Sequence, residues 1–351
     1  MNDLIKKYDS TNMYRVLTDF PEQVRVGISI GKAADVSAID PAIVQNIVIT
    51  GMGGSAIGGD ILRSFAASHC RTPININRHY ALPAFVNDKS LVVTASYSGE
   101  TEETLSAMRQ ALEAGAQVLA LTSGGTLGKI AREKNLTLIS IPGGLAPRCA
   151  LGYSFFPLLM AMIRLGFISL RDTEVEELSD FILEKTKQHA DFSSQNNLAI
   201  QIATKLQGKI PIIYSATEML DVVNLRWRNQ IEENAKVLAF GNTLPEMNHN
   251  EIVGWEQMPE SLKKFIVIAL RQKSDHSRVA RRFDVTLDLL REYPSDVIEI
   301  WAQASSPLTR ILELICLGDW VSFYAAMFSG VDPFPIVKIN KLKKALEEFS
   351  Q

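Results

Sequence analysis

The chain has 351 residues, 46% of them hydrophobic and 21% charged, which excludes a disordered chain and is enough for two domains of about 100–200 residues. Thirty-six Lys and Arg against thirty-nine Asp and Glu leave a net charge of -3, so no electrostatic footprint for nucleic acid is expected. The three cysteines, Cys70, Cys149 and Cys316, form no C-x-x-C pair and no disulfide framework, and a reducing cytoplasm is the simplest setting. The segment from Met1 to Phe20 lacks the apolar core of a signal peptide. Leu151 to Leu170, the most apolar stretch, is interrupted by Pro157 and Arg164 and reads as a buried core helix rather than a membrane span. A soluble intracellular protein is expected.

In chain order, residues 1–30 read as amphipathic helix. Ile47-Val48-Ile49-Thr50 is a β-branched run that stops at a glycine cluster, and a helix pattern follows through Ile57, Ile61, Leu62 and Phe65. The unit recurs: Ile74 to Asn77, Leu91 to Ser96, Gln117 to Thr122 and Leu136 to Ile141 read as strands, with helices over 101–114 and from the Gly-Gly turn to Lys134. An apolar helix at 155–168 completes a first domain. After a charged helical segment at 172–190 the pattern restarts with a strand at 209–215 and a long helix from Met219 to Val237. A strand follows at 262–270, then a helix at 277–290, a strand at 297–300 and a final apolar helix at 309–328. Strands alternating with helices at this spacing predict doubly wound parallel sheets, and two halves of similar order predict an internal duplication with the active site at the junction. The expected division is 1–25 helical, 26–170 first domain, 171–195 linker and 196–351 second domain with a C-terminal tail.

Gly51-Met52-Gly53-Gly54-Ser55-Ala56 follows a strand and satisfies G-x-G-x-x-A, the dinucleotide fingerprint. The fingerprint also needs an acid after the second strand for the ribose hydroxyls, and Arg78 stands there, which leaves only an NADP reading open. Gly124 to Ile130 imitates a P-loop but is one residue short, and Ile130 occupies the place of the magnesium-binding hydroxyl. Ser96-Tyr97-Ser98-Gly99-Glu100-Thr101 offers hydroxyls and backbone N–H groups at a strand-to-helix turn, an anion site made from dipoles; an ordinary acidic helix cap is the alternative. Ser55 one strand away favours the phosphate reading.

These two loops together resemble the sugar isomerase (SIS) domain, a phosphosugar-binding module of flavodoxin-like topology. Pro147-Arg148, Asn229-Gln230-Ile231-Glu232-Glu233-Asn234-Ala235-Lys236, Asn248-His249-Asn250-Glu251 and Val331-Asp332-Pro333 extend the resemblance, from about residue 25 to the end, to the bifunctional phosphoglucose/phosphomannose isomerase family. The fold class implied is α/β: two flavodoxin-like (SIS) doubly wound parallel-sheet domains with helical extensions. The activity implied is aldose–ketose interconversion of glucose 6-phosphate, and mannose 6-phosphate, with fructose 6-phosphate.

That chemistry moves one proton between C1 and C2 through an enediolate. It needs a base, a donor to the oxygens and a group that opens the sugar ring, and it requires no metal and no redox cofactor. The five histidines include no H-E-x-x-H. On the long helix, Val222, Arg226, Asn229, Glu233 and Val237 form one line, which predicts a partly desolvated Glu233. Glu232 is turned away and placed to pair with Lys236. Periodicity alone leaves Glu233 an ordinary helix acid; the resemblance selects it as the base because it precedes Asn-Ala-Lys. His249 lies in a polar loop and is either a solvated side chain or the ring-opening acid–base. In the family this histidine reaches the partner subunit's site, so the resemblance implies a homodimer. Arg148 is either a loop-holding arginine or the group that stabilises the enediolate. The resemblance puts it at the reacting carbons, with Gly54, Ser55, Ser96, Ser98 and Thr101 on the phosphate. Lys343 carries over as an active-site lysine, although four lysines in this tail also suit a solvated helix face. Ile336 stands where relatives often have a threonine near C2, which bears on tolerance for both epimers.

Three rivals remain at this level. A non-catalytic sugar-phosphate sensor usually carries a DNA-binding module, for which the first 30 residues are too short. An amidotransferase on the same fold needs a nucleophilic N-terminal cysteine, and no cysteine precedes residue 70. The NADP oxidoreductase rests on Arg78 alone.

Overall fold

A computed structural model describes residues 1–349. Its first sheet contains β1 (Asn46–Thr50), β2 (Ile74–Asn77), β3 (Ser90–Ala95), β4 (Gln117–Thr122) and β5 (Thr137–Ser140), all parallel, in the order β2-β1-β3-β4-β5. The second contains β6 (Ile210–Ala216), β7 (Phe240–Leu244), β8 (Phe265–Gln272) and β9 (Val297–Ala302), also parallel, in the order β7-β6-β8-β9. The second sheet thus repeats the order of the first four strands of the first, the flavodoxin-like arrangement with its switch point between the first and third strands. Every residue of β3 is buried, because helices cover both faces of a parallel sheet.

Two apolar helices join the halves. Leu151–Arg164 packs on Phe20–Ala33, and Gly27 permits the approach: a Cβ there would stand 2.3 Å from the Gly152 carbonyl oxygen. Pro307–Ser329 packs against Asp172–Ala190, Leu198–Lys205 and Asp221–Gln230. It is long and apolar enough to cross a bilayer, yet 94% of its most apolar window is buried inside the fold, so it is a core helix. One continuous apolar cluster runs through both sheets and these helices.

The elements depart from the sequence reading in five places. Residues 1–30 are three helices, Asn2–Tyr8, Met13–Thr18 and Phe20–Ala33. The first break comes where Asn12 turns left-handed (φ 60°) and the Asp9 carboxylate accepts the Met13 and Tyr14 N–H groups at 2.6 and 2.9 Å. The apolar helix begins at Leu151 rather than 155, with Pro157 inside it. The helix expected to run from Met219 to Val237 is α-helical only over Asp221–Gln230; a π turn, Ile231–Ala235, follows and left-handed Lys236 (φ 61°) ends it. The run at 262–270 is a short helix, Pro259–Leu262, and then β8. Finally, β7 was not legible: Phe-Gly-Asn-Thr-Leu lacks an apolar run because it is an edge strand with one paired side.

Candidate active site

The helices Gly53–Ala66 and Glu102–Glu113 start at the C-terminal ends of β1 and β3, the adjacent strands of the first sheet's switch point. Neither N-terminus has a side-chain cap, so both leave backbone N–H groups free at adjacent strand ends. The loops touch. Ser55 Oγ accepts the Tyr97 N–H at 2.9 Å, while Ser96 Oγ accepts the Gly99 N–H at 3.1 Å and lies 2.9 Å from Thr101 Oγ1. Ser98 is exposed, its Oγ accepting the Glu100 N–H at 3.2 Å. Gly54, Ser55, Ser96, Ser98 and Thr101 therefore belong to two abutting loops with the donor set a phosphate needs.

The P-loop imitation is occupied from within. The Glu100 carboxylate accepts the Thr126 N–H and Oγ1–H at 2.7 and 2.8 Å and so caps the helix Gly125–Glu133, while exposed Lys129 faces Glu133. Arg78 is likewise taken, paired with the buried carboxylate of Asp60.

Arg148 leaves β5 through the 3-10 turn Pro147–Cys149 and is 4% exposed. A buried guanidinium needs a partner at each edge. Its Nε donates to Asn234 Oδ1 at 2.8 Å, and its Nη2 to the Pro333 and Phe334 carbonyls at 3.0 and 2.9 Å. Nη1 donates to Glu233 Oε2 at 3.3 Å. Its backbone carbonyl accepts from Arg226 Nη2 at 3.0 Å, and Arg226 makes a two-pronged pair with Asp319 at 3.0 and 2.7 Å. One arginine of the first domain thus meets the π turn of the second and the start of the C-terminal tail. Gly54 seats this turn on the glycine loop, since a Cβ there would stand 2.5 Å from the Pro147 carbonyl.

Glu233 keeps 27% of its side chain exposed, so it faces Arg148 on one side and remains accessible on the other. The expected Glu232–Lys236 ion pair does not form. Left-handed Lys236 swings back instead, and Nζ donates to the Glu233 carbonyl and, at 3.0 Å, to the Pro333 carbonyl. Burial, with Arg148 adding to it, lowers the Lys236 pKa. Burial pushes the neighbouring Cys149 thiol up to about 11 against the pull of Arg148, so the thiol stays protonated at neutral pH.

His249 and Lys343 do not join this group within one chain. In the Asn248-His249-Asn250-Glu251 loop, Asn248 Nδ2 donates to Thr286 Oγ1 at 2.7 Å, and Asn250 Nδ2 to Glu246 Oε1 at 3.0 Å. Glu251 accepts from Tyr214 Oη at 2.5 Å and Asn242 Nδ2 at 2.8 Å. Asn248 and Glu251 anchor the loop to the second domain, while His249 is exposed, with no side-chain hydrogen bond among the described residues. Lys343 lies on the exposed helix Val337–Glu347, none of whose residues is buried. Sequence reasoning missed Asn234, Asp319 and Lys236 as partners of the site. The available signal was polar residues at four-residue spacing, Arg226, Gln230 and Asn234, and an Asp inside the apolar run at 309–328.

A relative from Caldicellulosiruptor bescii, a bifunctional phosphoglucose/phosphomannose isomerase, is 42% identical over 96% of this chain and 99% of its own length. The chain belongs to the bifunctional phosphoglucose/phosphomannose isomerase family. A relative of the same description from Aquifex aeolicus is 35% identical over 87% of this chain and 91% of its own. The family model described as the bacterial phospho-glucose isomerase C-terminal SIS domain matches residues 195–346. Among solved structures, a hypothetical protein from Thermus thermophilus superposes with a TM-score of 0.74 over 99% of this chain and 94% of its own; at 16% identity this is a likeness of fold. These relatives are isomerases, and none is described as a regulator, which removes the support for a sugar-phosphate sensor.

Proposed function

We propose that the chain interconverts glucose 6-phosphate, and mannose 6-phosphate, with fructose 6-phosphate by enediolate proton transfer. The observation that carries this reading is the contact between Arg148 Nη1 and Glu233 Oε2, 3.3 Å across the junction of the two halves. A carboxylate that is accessible on one side and guanidinium-bound on the other can take the proton from C2 and return it to C1. The guanidinium beside it balances the negative charge that develops on the enediolate oxygens. Gly54, Ser55, Ser96, Ser98 and Thr101 hold the phosphate through hydroxyls and helix N-termini.

His249 opens the ring in the site of a partner subunit, so the working unit is a homodimer. What favours this is an exposed imidazole on a loop that Asn248 and Glu251 tie to Thr286 and to Tyr214 and Asn242. Lys343 reaches the sugar when the exposed tail helix folds over the site; Lys236, whose Nζ donates to the Glu233 carbonyl, is the cation nearer to the pair. Unpaired Cys70, Cys149 and Cys316 favour a cytoplasmic setting. The domain limits are proposed at residues 26–170 and 196–351.

The test follows fructose 6-phosphate conversion with glucose 6-phosphate dehydrogenase and NADP as the reporter. Glu233→Gln keeps the side chain's shape and removes the base, so turnover should fall by about 10²–10⁴-fold while sugar-phosphate binding by calorimetry is retained. Near-normal turnover in that variant would sink the assignment.

A further inference from the structure

We infer that Asn234 is a positioning residue of this reaction: it sets the plane of the Arg148 guanidinium so that Nη1 faces Glu233. The inference rests on the reading of Arg148 and Glu233 as the reacting pair. Asn234 is 1% exposed, and the surrounding hydrogen bonds fix which way its amide points. The fully buried Ser322 hydroxyl donates to the Asp319 carbonyl at 2.7 Å, so it can only accept from Asn234 Nδ2, 2.9 Å away. That leaves Oδ1 for Arg148 Nε at 2.8 Å; a flipped amide would set donor against donor.

Both ends of Arg148 therefore trace back to one turn of the core helix, Asp319 to Ser322. Asp319 holds Arg226, which holds the Arg148 carbonyl, and Ser322 holds Asn234, which holds Nε. Nη2 is spent on two backbone carbonyls, so Nη1 is the nitrogen left to meet a carboxylate or a developing oxyanion. Without Asn234, the guanidinium can rotate about its stem and carry Nη1 away from Glu233. A displacement on the order of 1 Å at a reacting centre costs roughly 100-fold in rate.

The experiment measures kcat and KM for fructose 6-phosphate in Asn234→Ala, Arg148→Ala, the double variant, and two milder variants. Asn234→Ala should lose about 100-fold in kcat with KM within about threefold, and should cause no further loss in the Arg148→Ala background. Asn234→Asp should recover most of the loss, because a carboxylate oxygen still accepts the Nε–H and the Ser322 hydroxyl can turn to donate to the other. Should the alanine variant not fold, Ser322→Ala keeps Asn234 in place and frees its amide. It is expected to cost about tenfold in kcat, again only when Arg148 is present. Equal losses with and without Arg148, or kcat within about twofold in Asn234→Ala, would overturn the inference. Wild-type kcat in Arg148→Ala would instead remove the reading of Arg148 itself, and the inference with it.

Discussion

Replacing Gly54 by alanine tests whether the proposed phosphate loop and the Arg148 turn act as one rigid unit. The new Cβ would stand 2.5 Å from the Pro147 carbonyl carbon and oxygen and 2.7 Å from the Arg148 nitrogen, where ordinary contact begins near 3.4 Å. The two segments must part by 0.9 Å (3.4 less 2.5), and what opposes the methyl is backbone, which no side-chain rotation can clear. If the Arg148 turn retreats, the 2.8 Å bond to Asn234 and the 3.3 Å contact with Glu233 both open. If the loop retreats, Ser55 leaves the Tyr97 N–H. Overpacking of this kind costs about 1–3 kcal/mol. For a chain of this size that is a Tm lower by roughly 1–4 °C. A shift near 1 Å at the reacting groups costs about 100-fold in kcat. Thermal melting and the coupled isomerase assay on purified Gly54→Ala read both quantities. Wild-type kcat together with an unchanged Tm would refute the coupling of phosphate loop and arginine.

Two further outcomes follow from other parts of the molecule. Mixing Glu233→Gln and His249→Ala proteins, each inactive alone, under conditions that let subunits exchange should restore about a quarter of wild-type activity, because half the dimers are mixed and each has one intact site; no recovery despite demonstrated exchange would place His249 outside the partner's site. Burial, reinforced by the Lys185 ammonium, pushes His189 down to about 4 from its ordinary 6.5. The unfolded chain then binds the extra proton between pH 6.5 and 4, so the stabilisation is complete above 6.5 and is lost as pH falls toward 4. At about 1.4 kcal/mol per pH unit this amounts to about 3 kcal/mol, which urea midpoints across that range should show and His189→Gln should abolish.

Most of the strands were legible because central parallel strands are covered on both faces and so appear as apolar runs, as at Ile47-Val48-Ile49 and Leu91-Val92-Val93. The glycine and serine loops were legible because the chemistry of a strand-to-helix turn is local. Edge strand β7 was hidden by its mixed composition. The π turn was hidden too, because an α-helical stripe drawn through Val222 to Val237 assumes a geometry that stops at Gln230. The break at Asp9 to Asn12 had a local signal, an aspartate positioned to cap a following helix.

Residue order along the chain determined the repeated α/β units, the glycine and serine loops and the motifs that carry Glu233, His249 and Arg148. The tertiary structure decided which of them meet. Arg148 and Glu233 are 85 residues apart in different halves, and they touch because the helices Leu151–Arg164 and Pro307–Ser329 pack both sheets into one core. The same packing buries Arg226, Asp319 and Asn234 behind Arg148, where periodicity could suggest an inward face but not the partner awaiting it. It also leaves His249 and Lys343 facing outward, because local motifs fix a side chain's neighbours in sequence while only the docking of distant elements fixes its neighbours in space.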